Sequence, residues 1–136
     1  MGTIYWAGRN NPDVAVNGRD ARAVVASLRR SGAPFVILSM CNSATEALGS
    51  AGYATVMAVN AEYERAAGSD YFDIRGWLIR RGLAAAGITP TATDTSDIAK
   101  DVIPASLRSD DTHLNPAGYP AMGRRVAQLL NDKEWF

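Results

Sequence analysis

The chain has 136 residues, 47% of them hydrophobic, and its 14 basic and 14 acidic side chains cancel to zero formal charge. That length suits a single domain over residues 1–136 with one core, and the apolar content excludes disorder as a whole-chain description. Charge balance argues against a nucleic-acid partner, which needs surplus Lys and Arg to displace counterions from phosphates. The doublets Arg29-Arg30, Arg80-Arg81 and Arg124-Arg125 read as solvated helix faces.

The longest clearly apolar stretch, Phe35 to Leu38, is far short of the roughly 20 residues of a membrane span, so no membrane span is expected. Met1-Gly2-Thr3-Ile4 has neither the basic head nor the apolar run of a secretory signal, and localisation stays open. The single cysteine, Cys41, excludes an internal disulfide and a multi-cysteine zinc site.

In chain order, Ile4-Tyr5-Trp6-Ala7 is short and β-prone and runs into the turn-forming Gly8-Arg9-Asn10-Asn11-Pro12, which predicts a strand ending in a loop. From Asp20, the helical spacing of Ala21, Val24, Val25 and Leu28 predicts an amphipathic helix to about Ser31, stopped by Gly32. Phe35-Val36-Ile37-Leu38-Ser39-Met40 is the continuous apolar run of a strand covered on both faces. A second helix is expected over 53–67, with Val56, Val59, Tyr63 and Ala66 inward. Residues 71–74 then read as a short strand and 77–86 as a helix closed by Gly87. Residues 89–111 read as one long loop, a lid or a long connection. Asn115-Pro116, an N-cap followed by proline, starts a last helix that buries Tyr119, Met122, Val126, Leu129 and Leu130.

The β-α-β-α-β-α order predicts a parallel sheet covered by helices. Ligand sites in such sheets lie beyond the carboxyl ends of the strands. That directs attention to residues 8–11, 39–43 and whatever follows Ile74.

The one histidine, His113, lies in Asp110-Asp111-Thr112-His113-Leu114-Asn115-Pro116. A lone histidine is ordinarily structural or merely exposed. Here Asp110 stands three residues earlier in a turn-prone loop, where its carboxylate can hold one ring nitrogen and leave the other to take a proton. Asp110, Asp111 and His113 also suit a divalent ion, but no second histidine or cysteine cluster completes a shell, so neither metal nor cofactor is expected. The two acids also read as helix-start charges. Gly8 and Asn10 mark a turn on the plain reading; on the functional one, glycine allows a tight path and the Asn10 amide donates to a developing oxyanion.

Taken together, Gly8-Arg9-Asn10-Asn11 after a strand and Asp110-Asp111-Thr112-His113 before Leu114-Asn115-Pro116-Ala117-Gly118-Tyr119 resemble the third and fifth sequence blocks of the SGNH (GDSL-type) hydrolases. The later block is the more specific match; in the earlier one Asn11 replaces the usual aspartate. The resemblance implies an α/β, flavodoxin-like three-layer α/β/α sandwich with a parallel sheet. It also implies metal-free hydrolysis of acyl or acetyl esters of lipids or carbohydrates. By resemblance His113 is the general base, Asp110 its orienting carboxylate, and Asn10 with Gly8 the oxyanion hole.

The family's Gly-Asp-Ser block, which carries the nucleophile, is not recognisable in this chain. An N-terminally incomplete domain lacking its first strand or strands is therefore expected, inactive alone, with the nucleophile unknown. A fragment, a half complemented by a separate N-terminal polypeptide, and a non-catalytic descendant are the competing explanations. A missing strand would expose apolar sheet edge and favour a homodimer or poor solubility. Cys41 as a thiol nucleophile with His113 is a further option, set against a small buried hydrophobe. Ser39 and Ser43 lack a nucleophile-elbow context. The alternative function is a binding or assembly module that keeps the scaffold. The stretch from Ile103 to Asp110 is similar to segments of actinobacterial and phage SGNH-type proteins, some of them attached to virions.

Overall fold

The computed structural model describes residues 2–135; Met1 and Phe136, the ends of the expected domain, lie outside them. Thr3–Tyr5 forms β1, Phe35–Leu38 β2 and Tyr71–Phe72 β3, paired in the order β1-β2-β3. Both pairings are parallel, with Ile4 opposite Val36 and Ile37 opposite Tyr71. All four side chains of β2 are buried, because successive residues point to opposite faces and each face carries helices.

That alternation divides the core in two. Phe35 and Ile37 pack with Ala21, Val25, Val56, Val59 and Tyr63, from α1 (Val14–Ser31) and α2 (Ala51–Ala67). Val36 and Leu38 pack on the other side with Ile74 and Leu78 of α3 (Ile74–Ala85) and Met122, Val126 and Leu130 of α5 (Gly118–Asp132). The molecule is thus an α/β protein with a small parallel sheet between helices. Among the described residues, no helix is long and apolar enough to cross a membrane.

Four expected boundaries are corrected. The first helix starts at Val14 rather than Asp20, because Asp13 caps it by accepting from the Val16 amide (2.8 Å). The polar Asn17 and the side-chain-free Gly18 interrupt the apolar spacing, yet both are buried. The third strand stops at Phe72, since Asp73 caps α3, accepting from the Gly76 amide at 2.9 Å. The expected loop 89–111 contains α4 (Ala92–Ala99), opened by a capping box between Thr91 and Asp94, and a 3₁₀ turn at Ala105–Leu107. The last helix begins at Gly118, three residues after Asn115. The Asn115 Oδ1 still accepts from the amides of Ala117 and Gly118, both at 2.9 Å.

One inward residue is also corrected: Tyr119 is 48% exposed, because it stands in the first turn of α5 beside the open ends of the strands. The arginine doublets behave unequally. Arg30, Arg80 and Arg81 are exposed, whereas Arg125 lies over the Phe72 ring at 4.8 Å from its centroid.

Candidate functional site

Because the strands are parallel, their carboxyl ends open on one side of the sheet. A cleft of about 870 Å³ lies there, lined by residues 5–11, by Val16, Asn17 and Asp20 of α1, by Met40 and Cys41 after β2, and by Thr112, His113 and Tyr119. Gly8 and Asn10 share this one cleft with His113, more than 100 positions further along the chain.

The loop after β1 is held from beneath. Gly8 has φ +99°, and a Cβ there would come within 2.6 Å of the Tyr63 hydroxyl and 2.7 Å of Asn17 Oδ1. Only glycine combines that backbone with that approach. The Tyr63 hydroxyl donates to Asn17 Oδ1 at 2.8 Å, and the Asn17 amide donates to the carbonyls of Asn11 (2.6 Å) and Asp13 (2.8 Å). Buried Tyr63 on α2 therefore fixes Asn17 on α1, which fixes the loop. The Gly8 carbonyl accepts from the Asn11 amide at 3.1 Å and closes the turn. Asn10, at its tip, is exposed.

A second clamp comes from Arg9, whose two guanidinium nitrogens reach the two oxygens of Glu46 at 2.6 and 2.8 Å. Such a bidentate pair fixes orientation as well as distance. The Arg9 guanidinium holds the Glu46 carboxyl below the usual carboxylate range, against the opposing effect of burial. Glu46 also accepts from the Ser43 amide at 2.7 Å, so one carboxylate ties the β1 loop to the β2 loop.

His113 and Asp110 meet as the sequence suggests. Nδ1 of His113 lies 2.9 Å from Asp110 Oδ2, and Asp110 Oδ1 accepts from the amides of Thr112 (2.7 Å) and His113 (2.8 Å). Those amides, with the imidazole, hold the Asp110 carboxyl down at about 2. An ionised carboxylate only accepts, so Nδ1 donates to it and Nε2 is the ring nitrogen left unpaired by Asp110. The side chain of His113 is 67% exposed. Arg108 steadies the segment, donating to the Ile103 carbonyl at 2.7 Å and to Asp97 at 2.8 Å. Asp111 sits 3.8 Å from Arg108, and Asp110, Asp111 and His113 form no three-ligand group among the described residues.

The other candidate nucleophiles are occupied. Ser39 is buried; its hydroxyl donates to Asp73 at 3.0 Å and accepts from the Arg75 amide at 2.9 Å. Ser43 pairs with the Thr45 hydroxyl at 3.2 Å. Cys41 does line the cleft, but burial pushes its thiol up to about 12, so the thiolate that would attack is scarce near neutral pH. Among the described residues no serine lines the cleft.

No family model matches this chain, and no solved structure matches it. A curated relative, the tail spike protein of Salmonella phage epsilon15, is 28% identical over 141 aligned residues. The alignment covers 97% of this chain and 13% of that protein. The likeness therefore concerns a small part of a much longer polypeptide.

Gly8, Asn10, Asp110 and His113 are legible in the sequence as candidates for one site, but the residues that hold them are not. Asn17, Tyr63 and Glu46 lie far apart in the chain and carry no local signature. A polar residue interrupting an apolar helical face, as Asn17 does, was the available signal.

Proposed function

We propose that the chain carries the base and oxyanion portion of an SGNH-type ester hydrolase with a flavodoxin-like three-layer arrangement. The observation that carries this reading is the Asp110–His113 pair, with Nδ1 fixed by the carboxylate, on the same cleft as Gly8 and Asn10. His113 Nε2 takes the proton of a serine hydroxyl as its oxygen bonds to the ester carbonyl carbon. Asn10 and the Gly8 amide face the oxygen that gains the negative charge. His113 then returns the proton to the departing alkoxide. Water, activated the same way, releases the acid.

The serine comes from polypeptide outside these residues, since Ser39 and Ser43 are paired and Cys41 is held protonated. Restoring a Gly-Asp-Ser strand, in the same chain or as a separate polypeptide, is expected to give hydrolysis of p-nitrophenyl acetate. His113→Ala should lower that rate by roughly 10²- to 10⁴-fold. A restored, folded and active chain indifferent to His113→Ala overturns the assignment.

A second reading is favoured by the lack of a serine on the cleft and by the phage tail spike likeness. On it the chain is a non-catalytic binding or assembly module of a phage-related protein. It expects ligand binding without turnover even after the serine is supplied, and serine-dependent turnover counts against it.

A further inference from the structure

We propose that the cleft binds a neutral saccharide, with Trp6 and Tyr119 as its stacking platform and Asn10 and Asn11 as hydroxyl partners. This names the substrate class of the hydrolase site proposed above; it rests on that reading for what happens to the sugar, not for its binding.

Trp6 is 43% exposed and Tyr119 48%, among the few large aromatic or aliphatic side chains left open to solvent. Both line the cleft, and both also border a smaller apolar recess of about 280 Å³ beside it. The Trp6 indole N–H is already committed to the Ser39 carbonyl at 3.2 Å. Its one polar atom thus faces the protein, and the ring is a fixed plane with no polar demand of its own. Such a plane suits the C–H face of a pyranose, which is apolar in the middle and ringed by hydroxyls.

The rim matches those hydroxyls. Asn10 and Asn11 are exposed and line the same cleft, and each side-chain amide offers both a donor and an acceptor, as vicinal hydroxyls require. Charge selects against an anionic ligand. Arg9 is the one Lys or Arg among the residues lining the cleft, and both its terminal nitrogens are held by Glu46. Asp20, which also lines the cleft, is itself paired with Arg19 at 2.9 Å. A volume of about 870 Å³ is in the range of pockets that enclose sizeable organic ligands, enough for more than one hexose ring. A fatty acyl chain would fit the apolar recess but would leave the amides of the larger cleft without a role.

The test is ¹H–¹⁵N NMR of the whole chain with tetrasaccharides of glucose, mannose and galactose, plain and O-acetylated, and with decanoate as the lipid probe. At least one saccharide is expected to shift the Trp6 indole N–H and the Asn10 side-chain amide saturably. Trp77 and Trp135, which pack against the core, should stay still and serve as internal references. Tyr119→Ala, at an exposed position, should weaken binding roughly fivefold. Trp6→Phe, which keeps an aromatic face, should retain more affinity than Trp6→Ala. Shifts with decanoate alone, with no probe, or with a saccharide but untouched by Tyr119→Ala each overturn the proposal. Because plain saccharides contain no ester, their binding is read independently of hydrolysis; binding without esterase activity in a restored chain would sink the hydrolase reading and leave this one standing.

Discussion

The hydroxyl of Tyr63 donates to Asn17 Oδ1 directly beneath Gly8, and the two side chains occupy the space into which any Cβ at position 8 would project. The loop after β1 is therefore supported from beneath by a buried contact between α1 and α2. Gly8→Ala is expected to destabilise the protein by about 2–4 kcal/mol, combining a left-handed backbone penalty with overpacking. Urea denaturation followed by circular dichroism checks it, and an unchanged midpoint would contradict the cage. Tyr63→Phe removes the donor and should cost about 1–2 kcal/mol.

Asp94 is completely buried and accepts from Thr91 N, Thr91 Oγ1, Ser106 N and Ser106 Oγ, at 2.8–2.9 Å each. Burial pushes its carboxyl up, but the donors from Ser106 and Thr91 prevail and hold it at about 2. A depressed folded-state value means the stabilisation is complete above the unfolded value of 3.8 and is lost as the pH falls towards about 2. An acid titration should show α4 loosening over that window. Asp94→Asn should be less stable at pH 7, and its stability should fall less between pH 4 and 2. Equal acid sensitivity of the two proteins would contradict this.

Much of this architecture is legible in the sequence because it is written locally. The all-apolar run at 35–38 demands a strand covered on both faces, and Gly32 stops α1 with φ +68°, as expected of a left-handed cap. Asp110 and His113 are likewise neighbours in the chain, so their pairing is a matter of one turn. What escaped was of two kinds. α4 was hidden by its shortness and by having Ile98 as its one large apolar side chain, although Thr91 and Asp94 carried its capping box. The Tyr63–Asn17 and Arg9–Glu46 contacts join residues more than 30 positions apart, where one sequence offers no pairing rule.

Arg9 and Glu46 join the two loops at the mouth of the cleft through a pair that is only partly exposed, 31% and 18% at the side chains. Glu46→Gln removes the charge-assisted character of the pair and should cost about 1 kcal/mol or less after solvent screening. The larger effect is expected in dynamics. Amide exchange at residues 8–11 and at Ser43 should quicken while the centre of β2 stays protected. Uniform protection across both loops would contradict a clamp.

Cys41 is expected to be a poor nucleophile in the folded protein, since burial pushes its thiol up to about 12. Alkylation by iodoacetamide at pH 8 should run roughly 10²- to 10³-fold slower than in urea. A native rate close to the unfolded one would reopen the thiol as a reacting group.

The most direct test of the central claim is fluorophosphonate labelling of the chain alone and of the chain restored with a Gly-Asp-Ser strand, read by intact and peptide mass spectrometry. No labelling of the 136-residue chain is expected. In the restored protein, labelling should be confined to the added serine and slowed at least about 100-fold by His113→Ala. Labelling of a serine already in the chain, or labelling of the added serine at a rate indifferent to His113, would contradict the claim.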